Sequence, residues 1–347
     1  MTQMKATRFY GPTDLRMETV EIPEPKAGEI LVKVQTALTC GTDYKAFRQG
    51  HPVMLGETYP VPFGHECSGI VEKVGPGVTK FKPGMRVVAA NSAPCGQCYY
   101  CKKNRANLCD NLEFLNGAFA EYIKVPASIV SKNTYEIPEK LSFRHAAITE
   151  PFSCAVHAYH RLNIQPQDTV VILGCGIMGL LFTSVAIHNG AKIIAVGRSE
   201  EKLDIARKMG AQTVLNVKNV ADPIQAVLDV TEGRGADFVI EAVGKTEAWE
   251  QAFKMTAKGG TVCFFGGCKK GLTFPLDTYR THYEEVNAQG IFHHTPYYFQ
   301  KALQYLVDGV LNPDLLITQE IRLNDVADFF KNQAQTSPFK TAVLPNN

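Results

Sequence analysis

Hydrophobic positions along the chain follow two rhythms, and the change between them falls near Glu150. Before it, short β-branched runs at 29–37 (EILVKVQTA), 67–75 (CSGIVEKVG), 84–90 (GMRVVAA) and 120–125 (AEYIKV) are separated by Gly, Pro and Asn. Such punctuation predicts an irregular, mainly antiparallel barrel or sandwich. After Glu150, apolar runs at 170–174, 192–197, 213–217, 237–244 and 261–267 alternate with amphipathic segments at 200–210, 224–230 and 248–255. Strands that are apolar throughout, interleaved with helices carrying the charge, predict a parallel sheet covered on both faces. The stretch 284–292 (EEVNAQGIF) can add a sixth strand and complete a doubly wound α/β sheet. A helix at 297–310 and the run 340–345 (KTAVLP) follow, the latter expected to return to the first domain.

One segment tests that assignment. Residues 170–187 (VVILGCGIMGLLFTSVAI) are uncharged and close to membrane-spanning length. Three glycines interrupt the first half, so a buried strand, a tight turn and a buried helix explain it better than a membrane span.

At 347 residues two domains are expected. Hydrophobic content of 45%, 20% charged residues and a net charge of +2 describe a globular protein. With Lys and Arg dispersed, neither a nucleic-acid nor a membrane partner is expected. The first residues lack the apolar core of a signal peptide. Ten cysteines without such a leader suggest thiols that are free or hold metal, in the cytoplasm.

Four of those cysteines are clustered. Cys95, Cys98, Cys101 and Cys109 read C-x2-C-x2-C-x7-C. The spacing fits a tetrahedral structural zinc better than two disulfides or an iron–sulfur cluster. A closed thiolate site performs no chemistry, which must lie elsewhere. Cys67, Cys154, Cys175, Cys263 and Cys268 read as buried packing thiols.

Gly174-Cys175-Gly176-Ile177-Met178-Gly179 is G-x-G-x-x-G between a strand and a helix, the context in which the motif binds a dinucleotide pyrophosphate. At the end of the next strand, where NAD-binding proteins usually carry a carboxylate for the ribose hydroxyls, stands Gly197, followed by Arg198 and Ser199, with Lys202 one turn on. No carboxylate repels a 2′-phosphate and a guanidinium is available to pair with it, so NADP is favoured over NAD. The alternative is that Arg198 and Lys202 are solvated residues at a helix start.

Cys40-Gly41-Thr42-Asp43, Gly64-His65-Glu66 and Glu150 contain the ligand types of a second zinc, although each alone reads equally well as a core or surface residue. Together with the cysteine cluster, the glycine motif and the stretches 60–87 and 116–125, they resemble the zinc-dependent medium-chain dehydrogenases along essentially the whole chain. Glu150, in a position that is cysteine in ordinary alcohol dehydrogenases, and the phrase EPFSCAVHA look most like the sorbitol (polyol) and threonine dehydrogenases.

That resemblance implies a GroES-like catalytic domain (1–151 and 291–347, with the structural-zinc loop at 94–110) and a Rossmann domain (152–290). It makes Cys40 and His65 catalytic zinc ligands, Glu66 a third or exchanging ligand, and Glu150 a ligand either directly or through bound water. Thr42 would accept the alcohol proton. One catalytic and one structural zinc, NADP(H), a small alcohol or ketone substrate and a homodimer or homotetramer follow.

The sequence departs from the relatives twice. Lys45 stands where many place a relay histidine, and His293 where sorbitol dehydrogenases place a substrate-facing arginine. An NAD-dependent threonine or sugar-phosphate dehydrogenase is the enzymatic alternative. A catalytically inactive nucleotide-binding regulator is the alternative from another class.

Overall fold

A computed structural model describes residues 2–332 and 339–346. The chain divides into two compact units, residues 1–153 with 294–347, and residues 154–293.

Among the described residues the first unit holds a seven-stranded sheet. The order is Thr134–Glu136, Arg86–Ala89, Glu66–Val74, Ile30–Leu38, Lys340–Leu344 and Ile317–Arg322, with Tyr122–Val125 also pairing Ile30–Leu38. The runs at 29–37, 67–75, 84–90 and 120–125 all become strands of it. Pairing is antiparallel except between Ile317–Arg322 and Lys340–Leu344, which run parallel. The terminal run 340–345 does return to this sheet, pairing Val343 with Ala37.

Aromatic side chains fill its core. Phe9 stacks on Phe63 at 5.5 Å, and Phe63 meets the edge of Phe330 at 5.6 Å. Each fully buried ring of this kind contributes about 1.5–3 kcal/mol relative to exposure.

The second unit is built on a six-stranded parallel sheet. Its order is Thr213–Asn216, Lys192–Gly197, Thr169–Leu173, Ala236–Glu241, Thr256–Phe264 and Asn287–Gly290. In chain order this is 3-2-1-4-5-6, the doubly wound arrangement. The order reverses between Thr169–Leu173 and Ala236–Glu241, where Leu173 is in register with Glu241.

The apolar segment 170–187 resolves into the strand Thr169–Leu173 and the helix Ile177–His188, whose residues 179–186 are all buried. Among the described residues no helix is long and apolar enough to cross a membrane. The strand Thr256–Phe264, which takes up the start of the run 261–267, lies inside the sheet. The more polar strand Asn287–Gly290 lies beyond it and forms the edge.

Candidate active site and dinucleotide turn

The four clustered cysteines converge in the first unit. Their sulfurs lie within 4.8 Å of one another, with Cys98 to Cys101 at 3.6 Å and Cys98 to Cys109 at 3.8 Å. Four sulfurs about 2.3 Å from a tetrahedral zinc stand about 3.8 Å apart, so the spacing fits the metal. It is far too long for a disulfide, whose sulfurs are about 2.05 Å apart. Backbone N–H groups of Gln97 and Cys98 donate to the Cys95 sulfur and lower that thiol to about 6, favouring the thiolate a metal needs. Lys132 fastens the loop by donating to the carbonyls of Pro94 and Cys95.

A second group forms where two strands end. Cys40 follows the strand Ile30–Leu38 and caps the helix Gly41–Gln49, its sulfur accepting from the Thr42 N–H at 3.4 Å. His65 immediately precedes the strand Glu66–Val74, and Leu38 is paired with Glu66 across the ladder. That register brings Cys40 Sγ, a ring nitrogen of His65 and a carboxylate oxygen of Glu66 within 4.8 Å of one another.

Asp43, not singled out from sequence, organises the group. Its Oδ2 accepts from the Cys40 N–H at 2.9 Å, and its Oδ1 lies 2.9 Å from His65 Nδ1. Nδ1 is thereby occupied and Nε2 is left to face a cation, the orientation that metal-binding histidines share. Burial opposes a charged His65, yet the Asp43 charge and hydrogen bond outweigh it and hold the metal-free imidazole well above its usual value. The signal was available: an acidic residue three positions after Cys40 closes a capping box.

Lys340 is the second residue that sequence reasoning missed. Its Nζ donates to both oxygens of Glu66, at 2.7 and 2.6 Å, and to the carbonyl of Thr39 at 3.0 Å. Both side chains are almost wholly buried. Burial lowers a lysine, but Glu66 first and Cys40 next reverse this and raise Lys340. Burial raises the Glu66 carboxyl against the opposing pull of Lys340, and the two-pronged contact at 2.6–2.7 Å is the geometry of an ion pair. A lysine opening the apolar run KTAVL is the only trace of this in the sequence.

Glu150 stands outside the three-residue group but is buried within electrostatic reach of it. Burial raises its carboxyl to about 7 against the lowering influence of His65. Beside it lies His294, with Nε2 3.9 Å from Glu150 Oε1 and 2.9 Å from Asn91 Oδ1. His293, expected to take the arginine position, has a left-handed backbone (φ 61), and its carbonyl accepts from His157 Nδ1 at 2.7 Å. Thr42 is half-buried and Lys45 is exposed.

The glycine motif lies in the second unit at the carboxyl end of Thr169–Leu173. Gly174 has φ +105, and Gly176 caps the helix Ile177–His188. A Cβ on Gly179 would stand 2.0 Å from the Gly174 carbonyl oxygen, so only glycine permits this closeness of helix to turn. Ile177 and Met178 open the helix, whose first N–H groups lack intrahelical partners and favour an anion.

Gly197 closes the next strand and is buried. A Cβ there would meet Leu203 Cδ2 at 3.0 Å and Cys175 Cβ at 3.3 Å. Arg198 is exposed, Ser199 is the N-cap of the helix Glu200–Met209, and Lys202 is half-buried on its first turn. Glu200 is engaged by Arg207 at 2.8 Å and Asn216 at 2.7 Å, whereas Arg198 and Lys202 form no ion pair among the described residues. Of the remaining thiols, Cys67, Cys154, Cys175 and Cys263 are buried, but Cys268 is partly exposed in the loop after Thr256–Phe264.

The chain is similar to known dehydrogenases. Residues 26–138 match the alcohol dehydrogenase GroES-like domain family, and residues 178–308 match the zinc-binding dehydrogenase family. Sorbitol dehydrogenase of Bacillus subtilis (strain 168) is 32% identical, over 99% of this chain and 98% of its own length. D-xylulose reductase A of Aspergillus oryzae is 30% identical, over 95% of this chain and 93% of its own. A solved structure from Sinorhizobium meliloti 1021, described as a zinc-binding dehydrogenase bound to NADP, superposes with a TM-score of 0.91. It is 31% identical and covers 99% of this chain and 100% of that one.

Proposed function

The chain belongs to the zinc-dependent medium-chain dehydrogenase family, and on that footing we propose that it moves a hydride between a secondary alcohol or polyol, or the matching ketone, and NADP(H). The observation that carries the reading is the convergence of Cys40, His65 and Glu66 from separate segments, with Asp43 orienting the imidazole. A catalytically inactive regulator would have no use for that buried, oriented set.

Cys40 and His65 would hold the catalytic zinc, with Glu66, paired with Lys340 in the absence of metal, as a third or exchanging ligand and Glu150 as a ligand directly or through water. When bound, the ion supplies Lewis acidity that stabilises the alkoxide form of a substrate hydroxyl. Thr42, two residues beyond the Cys40 cap, would accept the proton the hydroxyl loses while its own hydroxyl proton passes on towards solvent. Asp43 keeps the His65 proton on Nδ1, and Lys340 keeps the Glu66 charge neutralised while no cation is near. Cys95, Cys98, Cys101 and Cys109 hold a second, structural zinc.

In the second unit, Gly174, Gly176 and Gly179 with the first turn at Ile177 and Met178 receive the pyrophosphate. Arg198, Ser199 and Lys202 receive the 2′-phosphate that selects NADP. Two features support that choice: Gly197 supplies no carboxylate at the strand end, where a Cβ would crowd Leu203 and Cys175, and neither cation is committed to an ion pair among the described residues. The exposed edge strand Asn287–Gly290 suits pairing of two copies in a dimer or tetramer.

The test is kinetic and analytical. kcat/KM is compared for NADP and NAD across polyols, threonine and sugar phosphates, and zinc is counted. The reading expects preference for NADP with a polyol, two zinc ions per chain, and one zinc with no turnover in Cys40→Ser. An active Cys40→Ser variant overturns the site assignment, and a higher efficiency with NAD overturns the coenzyme assignment.

A further inference from the structure

The strand Ala236–Glu241 ends in a buried carboxylate that neither metal site nor the glycine motif uses. Glu241 has no exposed surface. Its Oε1 accepts from the N–H groups of Val243 at 2.7 Å and Gly244 at 2.8 Å. Its own carbonyl accepts from Phe265 and Gly266, and the next residue, Ala242, donates its N–H to Leu173. Glu241 and Ala242 together thus tie the carboxyl ends of three neighbouring strands, at the point where the strand order reverses. Open parallel sheets bind ligands at that point.

The turn that Glu241 pins rests against the glycine motif. A Cβ on Gly174 would lie 2.7 Å from Val243 Cγ2 and 3.2 Å from the Ala242 carbonyl carbon. Gly244, with φ +78, completes the turn. Val243 is 46% exposed, an apolar side chain standing at the mouth of the sheet and not in the core.

Holding a carboxylate here is unfavourable in itself: burial raises Glu241 against the N–H groups that stabilise its charge. A turn open to water needs no such group, because solvent can satisfy its N–H donors. The carboxylate fixes the conformation of residues 242–244 before any ligand arrives.

We infer that Glu241 is a positioning residue for dinucleotide binding, holding Ala242–Gly244 against Gly174 so that Val243 forms an apolar wall beside the phosphate turn. The inference rests on the second unit being the dinucleotide-binding one. Pre-organisation of this kind raises affinity without contact between the residue and the ligand.

The chain carries its own reporter. Trp249, the single tryptophan, donates its Nε1–H to the Gly266 carbonyl at 3.0 Å and stacks on Phe264 at 4.2 Å. Zinc-loaded protein is titrated with NADPH and with NADH while quenching of Trp249 emission is followed. Glu241→Ala is expected to raise the dissociation constant about tenfold, the scale of losing hydrogen bonds to a charged acceptor. Glu241→Gln, whose amide oxygen can accept the same two N–H groups, should recover most of the affinity. Zinc content and the KM for alcohol at saturating coenzyme should not move.

Wild-type affinity in a folded Glu241→Ala protein overturns the inference, whatever its Tm. Should that variant not fold, Val243→Gly removes the wall with the carboxylate intact. Weakened binding then supports the inference, and unchanged binding overturns it. A wild-type protein that binds neither nucleotide overturns both this inference and the reading beneath it.

Discussion

Asp43 Oδ1 stands 2.9 Å from His65 Nδ1, and the same carboxylate accepts the N–H of Cys40 through Oδ2. One buried side chain therefore sets both the rotation of the imidazole and the start of the helix carrying the thiol. Asp43→Asn preserves the shape but replaces an acceptor oxygen with a donor. Zinc affinity at the catalytic site is expected to fall about 10–100-fold, the usual cost of losing such an orienting partner. Competition against a chelator measures it, with the four-cysteine zinc as internal control; equal affinity in the variant contradicts the assignment.

Lys340 and Glu66 form a buried ion pair, and such pairs are asymmetric in their energetics. Lys340→Met leaves an unpaired carboxylate in the interior and should cost about 3–5 kcal/mol of stability. Adding Glu66→Gln to the same chain should recover much of that loss. Urea denaturation of the metal-free single and double variants checks this, and strictly additive losses would show that the two groups do not interact.

The metal-free protein should lose stability as pH rises. Glu150 is raised to about 7 from an ordinary 4.5, so its contribution is complete below about 4.5 and is lost as pH rises through 7. His65 is also raised, so its contribution is complete below 6.5 and disappears at still higher pH. Both act in the same direction. Glu150→Gln should flatten the slope between pH 5 and 8 by an amount on the order of 1–3 kcal/mol. A wild-type profile that rises over that range contradicts the burial of these groups without metal.

Zinc binding should show the opposite pH dependence. A cation at His65 Nε2 must displace the proton that Asp43 stabilises on the imidazole. Affinity should therefore weaken as pH falls, with protons released on loading at neutral pH. Calorimetry in buffers of different ionisation enthalpy measures that release, and zero release would mean His65 is not a ligand.

Arg198→Ala should raise the KM for NADP about tenfold or more, while the KM for NAD hardly changes, since one charge-assisted contact is worth about 1.5–3 kcal/mol. Gly197→Asp should not simply convert the preference. Its Cβ would crowd Leu203 and Cys175, so stability should fall by about 1–3 kcal/mol as well. Steady-state kinetics with both coenzymes and a melting curve separate the two effects.

The two rhythms of hydrophobic spacing determined the two kinds of sheet, because side-chain periodicity is a local property that burial makes visible. The cysteine spacing and G-x-G-x-x-G were legible for the same reason, since each site draws on neighbours within one loop or turn. Cys40, His65 and Glu66 were named from sequence, but only the ladder pairing Leu38 with Glu66 brings their side chains together. Asp43, Lys340, Asn91, His294 and Glu241 act through partners as many as 274 positions away. A buried charge leaves no periodic trace, and its meaning depends on what tertiary packing places against it. The sequence carried the candidate metal ligands and the glycine turn; tertiary structure alone decided which side chains orient, neutralise and hold them.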